Sequence, residues 1–393
     1  MLSILLLMLI YLSFISLGLP DSLLGSAWPS IYGTLNIPLS YAGIISMIIA
    51  SGTVISSMFS AKILTRLGTG IVAVVSVLLT AAALIGFSIS HSFLLLCFCA
   101  VPLGLGAGSI DAALNNYVAL HYKARHMSWL HCFWGIGASA GPIIMSFYLI
   151  NSNSWNSGYR TIGIIQVCLV LLLFISLPLW KKNKPETDSA KNKPYKFSKL
   201  LSIAGVKEVL VTFFCYCSIE TITGLWGASY LVIEKGITPE IAARWISLYY
   251  IGITFGRFIS GFITMKLTNR QMVRLGQIII GAGFIVLVLP FENALLLPGL
   301  FLIGLGCAPV FPSLLHETPV NFGAEYSQSI MGIQMACAYI GTTIMPPVFG
   351  WLASLLSFNI FPVFLGLILA IKILMFELHK KNVDKAKNEI RPL

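Results

Sequence analysis

KKNKPETDSAKNKPYKFSK, residues 181–199, is polar, rich in lysine and without aliphatic periodicity, and long apolar runs stand on both sides of it. Such a segment reads as a linker, mobile or lying along a membrane surface. Working outward, a helix needs about 20 apolar residues to cross the hydrocarbon core of a bilayer. Runs of that kind lie near 4–33, 39–64, 69–90, 93–120, 127–150 and 159–180 before the linker. After it they lie near 207–233, 239–266, 271–290, 294–315, 325–353 and 357–378. The expected fold class is an all-α membrane protein with twelve transmembrane helices in two pseudo-symmetric six-helix bundles. The expected division is a first bundle over 1–180, the linker at 181–199, a second bundle over 200–379 and a cytoplasmic tail over 380–393.

Composition requires lipid as the solvent for much of the chain. Of its 393 residues 57% are hydrophobic and only 10% charged, with a mean hydropathy of +0.88, whereas a soluble domain carries roughly 25% charged residues. The first apolar run has no basic leader and no small-residue cleavage site, so it reads as a retained span. The eight cysteines sit singly or in C-x-C pairs inside apolar runs, a pattern of buried small hydrophobes that suggests neither disulfides nor a metal site.

The net charge of +11 is topological. With the N-terminus inside, Lys62, Arg66, Lys123, Arg125, the linker lysines, Lys207, Lys266, Arg270, Arg274 and the stretch from Lys372 to Arg391 all fall on the cytoplasmic side. That is 21 basic residues against three outside (Arg160, Lys235 and Arg244), with Arg257 left inside a span. Positive residues concentrate on the cytoplasmic side of membrane proteins, so both termini are expected in the cytoplasm of a multi-pass inner-membrane protein. A nucleic-acid partner is not expected; the bilayer is.

A shift of 200 residues brings the two sides of the linker into register. SAKILTRLGTG (60–70) meets SGFITMKLTNR (260–270), and GLG at 104–106 falls on GLG at 304–306. With a one-residue adjustment PDSLLG (20–25) meets IETITG (219–224), which sets Asp21 opposite Glu220; Pro142 pairs with Pro346 at a slightly larger shift. Two parallel six-span halves joined by a basic loop resemble the major facilitator superfamily. Residues 60–70 also resemble that family's loop between its second and third spans. Arg66 and Gly68 match it, while Thr65 stands where the family has Asp. That resemblance implies a gating role for Arg66 and Gly68, with Lys266 as the counterpart of Arg66 in the second half.

A narrower likeness lies in GLGAGSIDAALNNYV (104–118) and SWLHCFWGIGASAGP (128–142). These stretches resemble the fucose–galactose–glucose:proton symporter branch, with Asp111, Asn115 and His131 on its acidic, amide and histidine positions. Asp21 falls where that branch carries an acid on its first span. The resemblance implies a small-molecule solute, a sugar first of all, an ion gradient of protons or sodium, no cofactor and a monomer.

Three acidic residues are placed well inside spans: Asp21, Asp111 and Glu220. An ionised carboxylate there costs a few kcal/mol, so each is a candidate proton carrier, with carboxylates held as helix glue the plainer reading. Asp21 reads equally as a hydrogen-bond acceptor for solute. Glu220 is either a site residue or the partner of Arg257, and Arg257 alternatively belongs to a cytoplasmic gate near Lys266. Asn115, Asn116, His131 and Gln334 are candidates for binding solute hydroxyls, and Trp28, Trp134 and Trp226 for stacking under a ring. Trp residues also form interfacial belts, and His131 reads as a relay or as a packing residue. The sequence has no P-loop, no nucleophile elbow and no metal-spaced His/Cys cluster, so it is not read as an enzyme. A second reading, a drug or amphiphile exporter exchanging for protons, fits the aromatic content and the few polar residues within spans.

Overall fold

In a computed structural model, which describes residues 2–122, 124–180, 197–264, 266–289 and 296–390, the chain is helical and has no strand among those residues. Twelve helices are long and apolar enough to cross a membrane. They are Ile4–Leu35, Tyr41–Ser60, Thr69–Ser88, Phe93–Val118, Trp129–Ser152 and Trp155–Ile175, then Val206–Lys235, Pro239–Ile263, Asn269–Val288, Leu296–Gly323, Glu325–Leu355 and Ile360–Asn388. They are called here the first to the twelfth span. The protein is therefore a multi-pass membrane protein, with the span count expected from its apolar runs. Most of the expected linker, 181–196, lies outside the described residues, as do Lys123 and Arg391; Phe197–Leu201 is a short helix.

The first span is not one rod. A helix over Leu2–Asp21 ends just after Pro20, and a second runs over Leu23–Leu35. Proline at position 20 has no N–H to give the carbonyl four residues back, that of Ser16. Gln166 of the sixth span supplies the missing donor: its Nε2 donates to the Ser16 carbonyl at 2.9 Å. The same side chain accepts from Thr80 Oγ1 of the third span at 2.6 Å. A backbone break inside the membrane is thus satisfied by a buried amide that ties three spans together.

The C-terminal end adds one detail and corrects one expectation. The twelfth helix continues to Ile390, so the tail expected from residue 380 is helical as far as 390. It is fastened to the start of the ninth span, where Arg274 makes a two-pronged bond to Glu377 at 2.6 and 2.7 Å and Arg270 bonds Asp384 at 2.9 Å. Lys372, counted above with the cytoplasmic basic residues, is instead fully buried. It faces the Cys215 and Cys307 side of the second half, because the chain is still deep inside the bundle at that point.

The internal repeat is visible in backbone packing. Gly104 of the fourth span lies against the Ile49 carbonyl of the second, and Gly304 of the tenth lies against the Tyr249 carbonyl of the eighth, each partner 200 residues on. Gly52 meets Leu105 as Gly252 meets Leu305, and Gly106 meets Ser76 and Thr80 as Gly306 meets Gly276 and Ile280. Small residues let membrane helices approach to backbone contact, so the same approaches recur in both halves.

The halves meet through the first and seventh spans, the fifth and eighth, and the second and eleventh. Gly25 packs on the Gly224 backbone, Gly43 on Pro347, and Ser146 Oγ donates to the Glu240 carbonyl at 2.7 Å. These three approaches share the end opposite to Arg66 and Lys266. The fifth and eighth spans stay together well past that end, with Gly135 against Thr254. The second and eleventh part instead, leaving a cavity of about 800 Å³ between residues 51–58 and 332–344.

Replacing Gly304 by Val should cost about 1–3 kcal/mol, the range for overpacking, and lower the melting temperature of the detergent-solubilised protein. Gly366→Ala, where an added Cβ meets nothing within 4 Å, should be neutral or slightly stabilising. Equal effects from the two would contradict the packing described.

Candidate functional site

The break at Pro20 leaves Asp21 at the end of its helix. Its side chain keeps exposed surface although it sits in mid-span, so open space borders it on one side while a neighbouring helix bonds it on the other. Trp134 of the fifth span donates its indole N–H to Asp21 Oδ2 at 2.7 Å. Asp111 of the fourth span is close enough for its charge to act on Asp21. One turn further on, Asn115 Nδ2 donates to Asp111 Oδ1 at 2.9 Å and to the Asp111 carbonyl at 2.9 Å. That arrangement follows from i, i+4 spacing on one helix face.

The second half adds an ion pair. Arg257 of the eighth span lies 3.7 Å from Glu220 Oε1 of the seventh, each side chain 22% exposed. The other face of the guanidinium covers the Trp134 ring, 4.8 Å from its centroid. A cation over an indole contributes about 0.5–2 kcal/mol, and a partly exposed ion pair about 1 kcal/mol or less. Arg257 thus touches an acid of its own half and an aromatic ring of the other. Two bonded groups result, Asn115–Asp111 and Asp21–Trp134–Arg257–Glu220, and the Asp111 charge acting on Asp21 sets them in one row.

Tyrosines border this row. Tyr249 donates its hydroxyl to the Glu220 carbonyl at 3.0 Å, and Tyr250 stands within reach of the charges of both Asp21 and Glu220. Tyr339 of the eleventh span feels the Asp111 charge and meets the Ser57 side chain across the halves. Tyr339 and Ser57 also line the cavity between the second and eleventh spans, with Ile55, Met58, Met335 and Ile344 among the apolar remainder. The cavity is thus tied to the carboxylate row through Tyr339, which lines it and lies within reach of the Asp111 charge, and its volume falls in the range of small-molecule sites, roughly 300–1,000 Å³. Among the described residues no group of three His, Cys, Asp or Glu side chains is placed to hold a metal ion.

The remaining sequence candidates separate clearly. Trp28 is fully buried, with its indole N–H on the Leu39 carbonyl at 2.7 Å. Trp226 is fully buried too, donating to the Pro346 carbonyl at 2.9 Å and ringed by Phe349 and Phe358. Both are packed inside the bundle on backbone carbonyls, and neither lines the cavity. Gln334 is fully buried and accepts from Thr318 Oγ1 at 2.9 Å, away from the row. Asn116 is exposed, about 100° round the helix from Asn115. His131 stands edge-on to Phe14 at 6.0 Å and near Arg257, one turn from Trp134. Of the two readings of Arg257, the pair with Glu220 is the one present. Arg66 and Lys266 are exposed at their span ends, and Gly68 takes φ +79°, which explains a glycine at that turn.

Sequence reasoning missed Tyr250, Tyr339 and Ser57. Their signal was weak: a hydroxyl inside an apolar run is common, and only the fold brings these three to the carboxylates.

The family model described as Major Facilitator Superfamily matches residues 10–333 and, separately, 209–392. Among curated proteins, the chain is 25% identical to the glucose/mannose transporter GlcP of Bacillus subtilis (strain 168) over 268 residues, which is 63% of each protein's length. It is 23% identical to the cis,cis-muconate transport protein of Acinetobacter baylyi over 358 residues, 84% of this chain and 83% of that one. The fold is similar to a bacterial homolog of the human lysosomal transporter Spinster, in an inward-facing and occupied conformation (TM-score 0.75, 10% identity, 96% of each chain). It is also similar to a mutant of the nucleoside transporter NupG (TM-score 0.74, 13% identity, 95% of this chain and 98% of that one).

A double-mutant cycle on Glu220→Gln and Arg257→Gln should give a coupling of about 1 kcal/mol in thermal stability, as expected for a pair that solvent still reaches. Additive effects would show that the 3.7 Å approach carries no interaction energy.

Proposed function

The chain belongs to the Major Facilitator Superfamily, and on that premise we propose that it is a secondary active transporter coupling proton flow to symport of a monosaccharide or similar small polar solute. The observation that carries this reading is the Asp111–Asn115 pair, an acid and an amide joined at 2.9 Å within reach of the Asp21 charge, with a solute-sized cavity whose Tyr339 feels the same acid. Asp111 carries the proton first of all, with Asp21 as a second carrier or solute acceptor. Asn115 supplies a hydroxyl partner, and the Glu220–Arg257 pair supplies charge from the opposite half. Alternating access then consists of rocking residues 1–180 against 200–379 about this row, with Arg66, Gly68 and Lys266 at the gate. The family's transporters work by such rigid-body rocking around a mid-membrane site.

The basic residues support an inner-membrane orientation with both termini in the cytoplasm. In that orientation the tight approaches at Gly25, Gly43 and Ser146 face outward and the gap between the second and eleventh spans faces inward. The solutes in the relatives' names differ, so the sugar assignment rests on the amide and carboxylate chemistry of the site together with the resemblance to the symporter branch. Sodium in place of protons is the variant of this reading that the same test separates.

One observation favours a second reading. The cavity lining is largely apolar, with Ile55, Met58, Met335, Ile340 and Ile344, which suits an amphiphile exported in exchange for protons.

In vesicles, a transported sugar should alkalinise the outside medium as it enters, and uptake should rise as the outside is made more acidic than the inside. Asp111→Asn should lower driven uptake by roughly tenfold or more, the factor that losing about 1.4 kcal/mol of coupling removes, while counterflow exchange persists. Sugar uptake that follows a sodium gradient and ignores protons would replace the ion. No sugar uptake, with lipophilic cations extruded instead, would replace the reading by the exporter.

A further inference from the structure

The two flanks of the interface between halves differ. On one flank the second and eleventh spans enclose the cavity of about 800 Å³, with the Tyr339 and Ser57 side chains meeting across it. On the other the fifth and eighth remain in contact from Ser146–Glu240 down to Gly135–Thr254. The deepest side-chain tie on that closed flank is Arg257 over the Trp134 ring, at 4.8 Å.

Trp134 is engaged on two sides at once. Its ring face holds the cation of one half, and its edge donates to the Asp21 carboxylate of the other at 2.7 Å. A hydrogen bond to an ionised acceptor is roughly twice as strong as one between neutral groups. When Asp21 takes up a proton its carboxylate becomes a carboxylic acid, and the indole loses that charge-assisted acceptor. The indole is then held by a neutral carbonyl acceptor at most, so it turns more readily, and turning removes the ring face from under Arg257. Arg257 in turn has Glu220 as its alternative hold within the second half.

The surrounding charges are accounted for on each packed element. Around Asp21 stand Asp111 on the fourth span, Tyr250 on the eighth and Trp134 on the fifth. Around Arg257 stand Glu220, Tyr216, His131, Cys132 and Cys307, from the seventh, fifth and tenth spans. Trp134 is the side chain bonded to both Asp21 and Arg257.

We propose that Trp134 is a positioning residue that transmits the protonation of Asp21 to the Arg257 latch on the fifth–eighth seam, rather than a platform on which solute stacks. This rests on the proton-coupled reading above. It also makes a statement about conformation that needs no solute.

Two substitutions separate the contacts: Trp134→Phe keeps an aromatic face and loses the N–H, and Trp134→Gln keeps an N–H donor and loses the face. The first measurement is hydrogen–deuterium exchange of the purified full-length protein in acid and alkaline buffer, corrected for intrinsic pH dependence. In the wild type the fifth and eighth spans should exchange faster in acid. Asp21→Asn should lock the faster pattern at both pH values, and both Trp134 variants should lose the pH response while the other spans keep theirs. A wild-type seam that ignores pH, or a Trp134→Phe seam that still follows it, overturns the proposal, whatever the solute proves to be.

The second measurement is transport of an identified solute. Both Trp134 variants should lose gradient-driven uptake roughly tenfold or more, the factor one charge-assisted hydrogen bond supplies, yet retain counterflow. Normal Trp134→Phe transport with both modes lost in Trp134→Gln would mean stacking under solute. Parallel loss of both modes in both variants would mean a structural role. Either result overturns the proposal, while absence of proton-driven uptake in the wild type would count against the transport reading alone.

Discussion

Inside a bilayer no water is available to replace a lost backbone hydrogen bond, and each unsatisfied group costs several kcal/mol. Proline at position 20 creates such a loss at the Ser16 carbonyl, and Gln166 repairs it from the sixth span while accepting from Thr80 on the third. The repair lets the first span break, and the break places the Asp21 side chain at the helix end, partly exposed and in reach of the fifth span. The site geometry follows: an indole edge on Asp21, a cation on the indole face, and an acid behind the cation. A single buried amide, remote from the row, supports the break at which Asp21 enters it.

The same constraint explains how the halves are built. Helices in lipid gain little from burying apolar surface against each other, so close approach of small residues carries the packing. Gly104 on Ile49 and Gly304 on Tyr249 are one contact made twice. Close-packed helices have few intermediate arrangements, so motion between halves concentrates at the seams. One seam is held at depth by Arg257 and Trp134, and the opposite one has parted into the cavity.

Much of this was legible in the sequence, and for definite reasons. Span number follows from run length against bilayer thickness, and the duplication follows from the constant offset between SAKILTRLGTG and SGFITMKLTNR. Asp21, Asp111 and Glu220 stand out because carboxylates are rare in apolar surroundings. The tryptophans could not be sorted that way, since Trp28, Trp134 and Trp226 have similar neighbours in the chain. What separates them is the acceptor each indole finds: a carbonyl at Leu39, a carboxylate at Asp21, or a carbonyl at Pro346, 120 residues away. Lys372 was misplaced for a related reason. A lone lysine near the end of an apolar run looks like a membrane boundary, and only packing of the seventh and tenth spans around it reveals its burial.

Gly25 and Gly224 occupy equivalent places in the two repeats and pack against each other. If the repeats descend from one ancestral half that paired with a copy of itself, this contact joined a residue to its own duplicate. A change there would have struck both sides of the contact at once, so small size had to be kept in both copies. Asp21 and Glu220 are equivalents that do not meet, and after duplication each copy was free to drift. One has a tryptophan for a neighbour and the other an arginine, so the shared repeat supplies the scaffold and the difference between its copies supplies the chemistry.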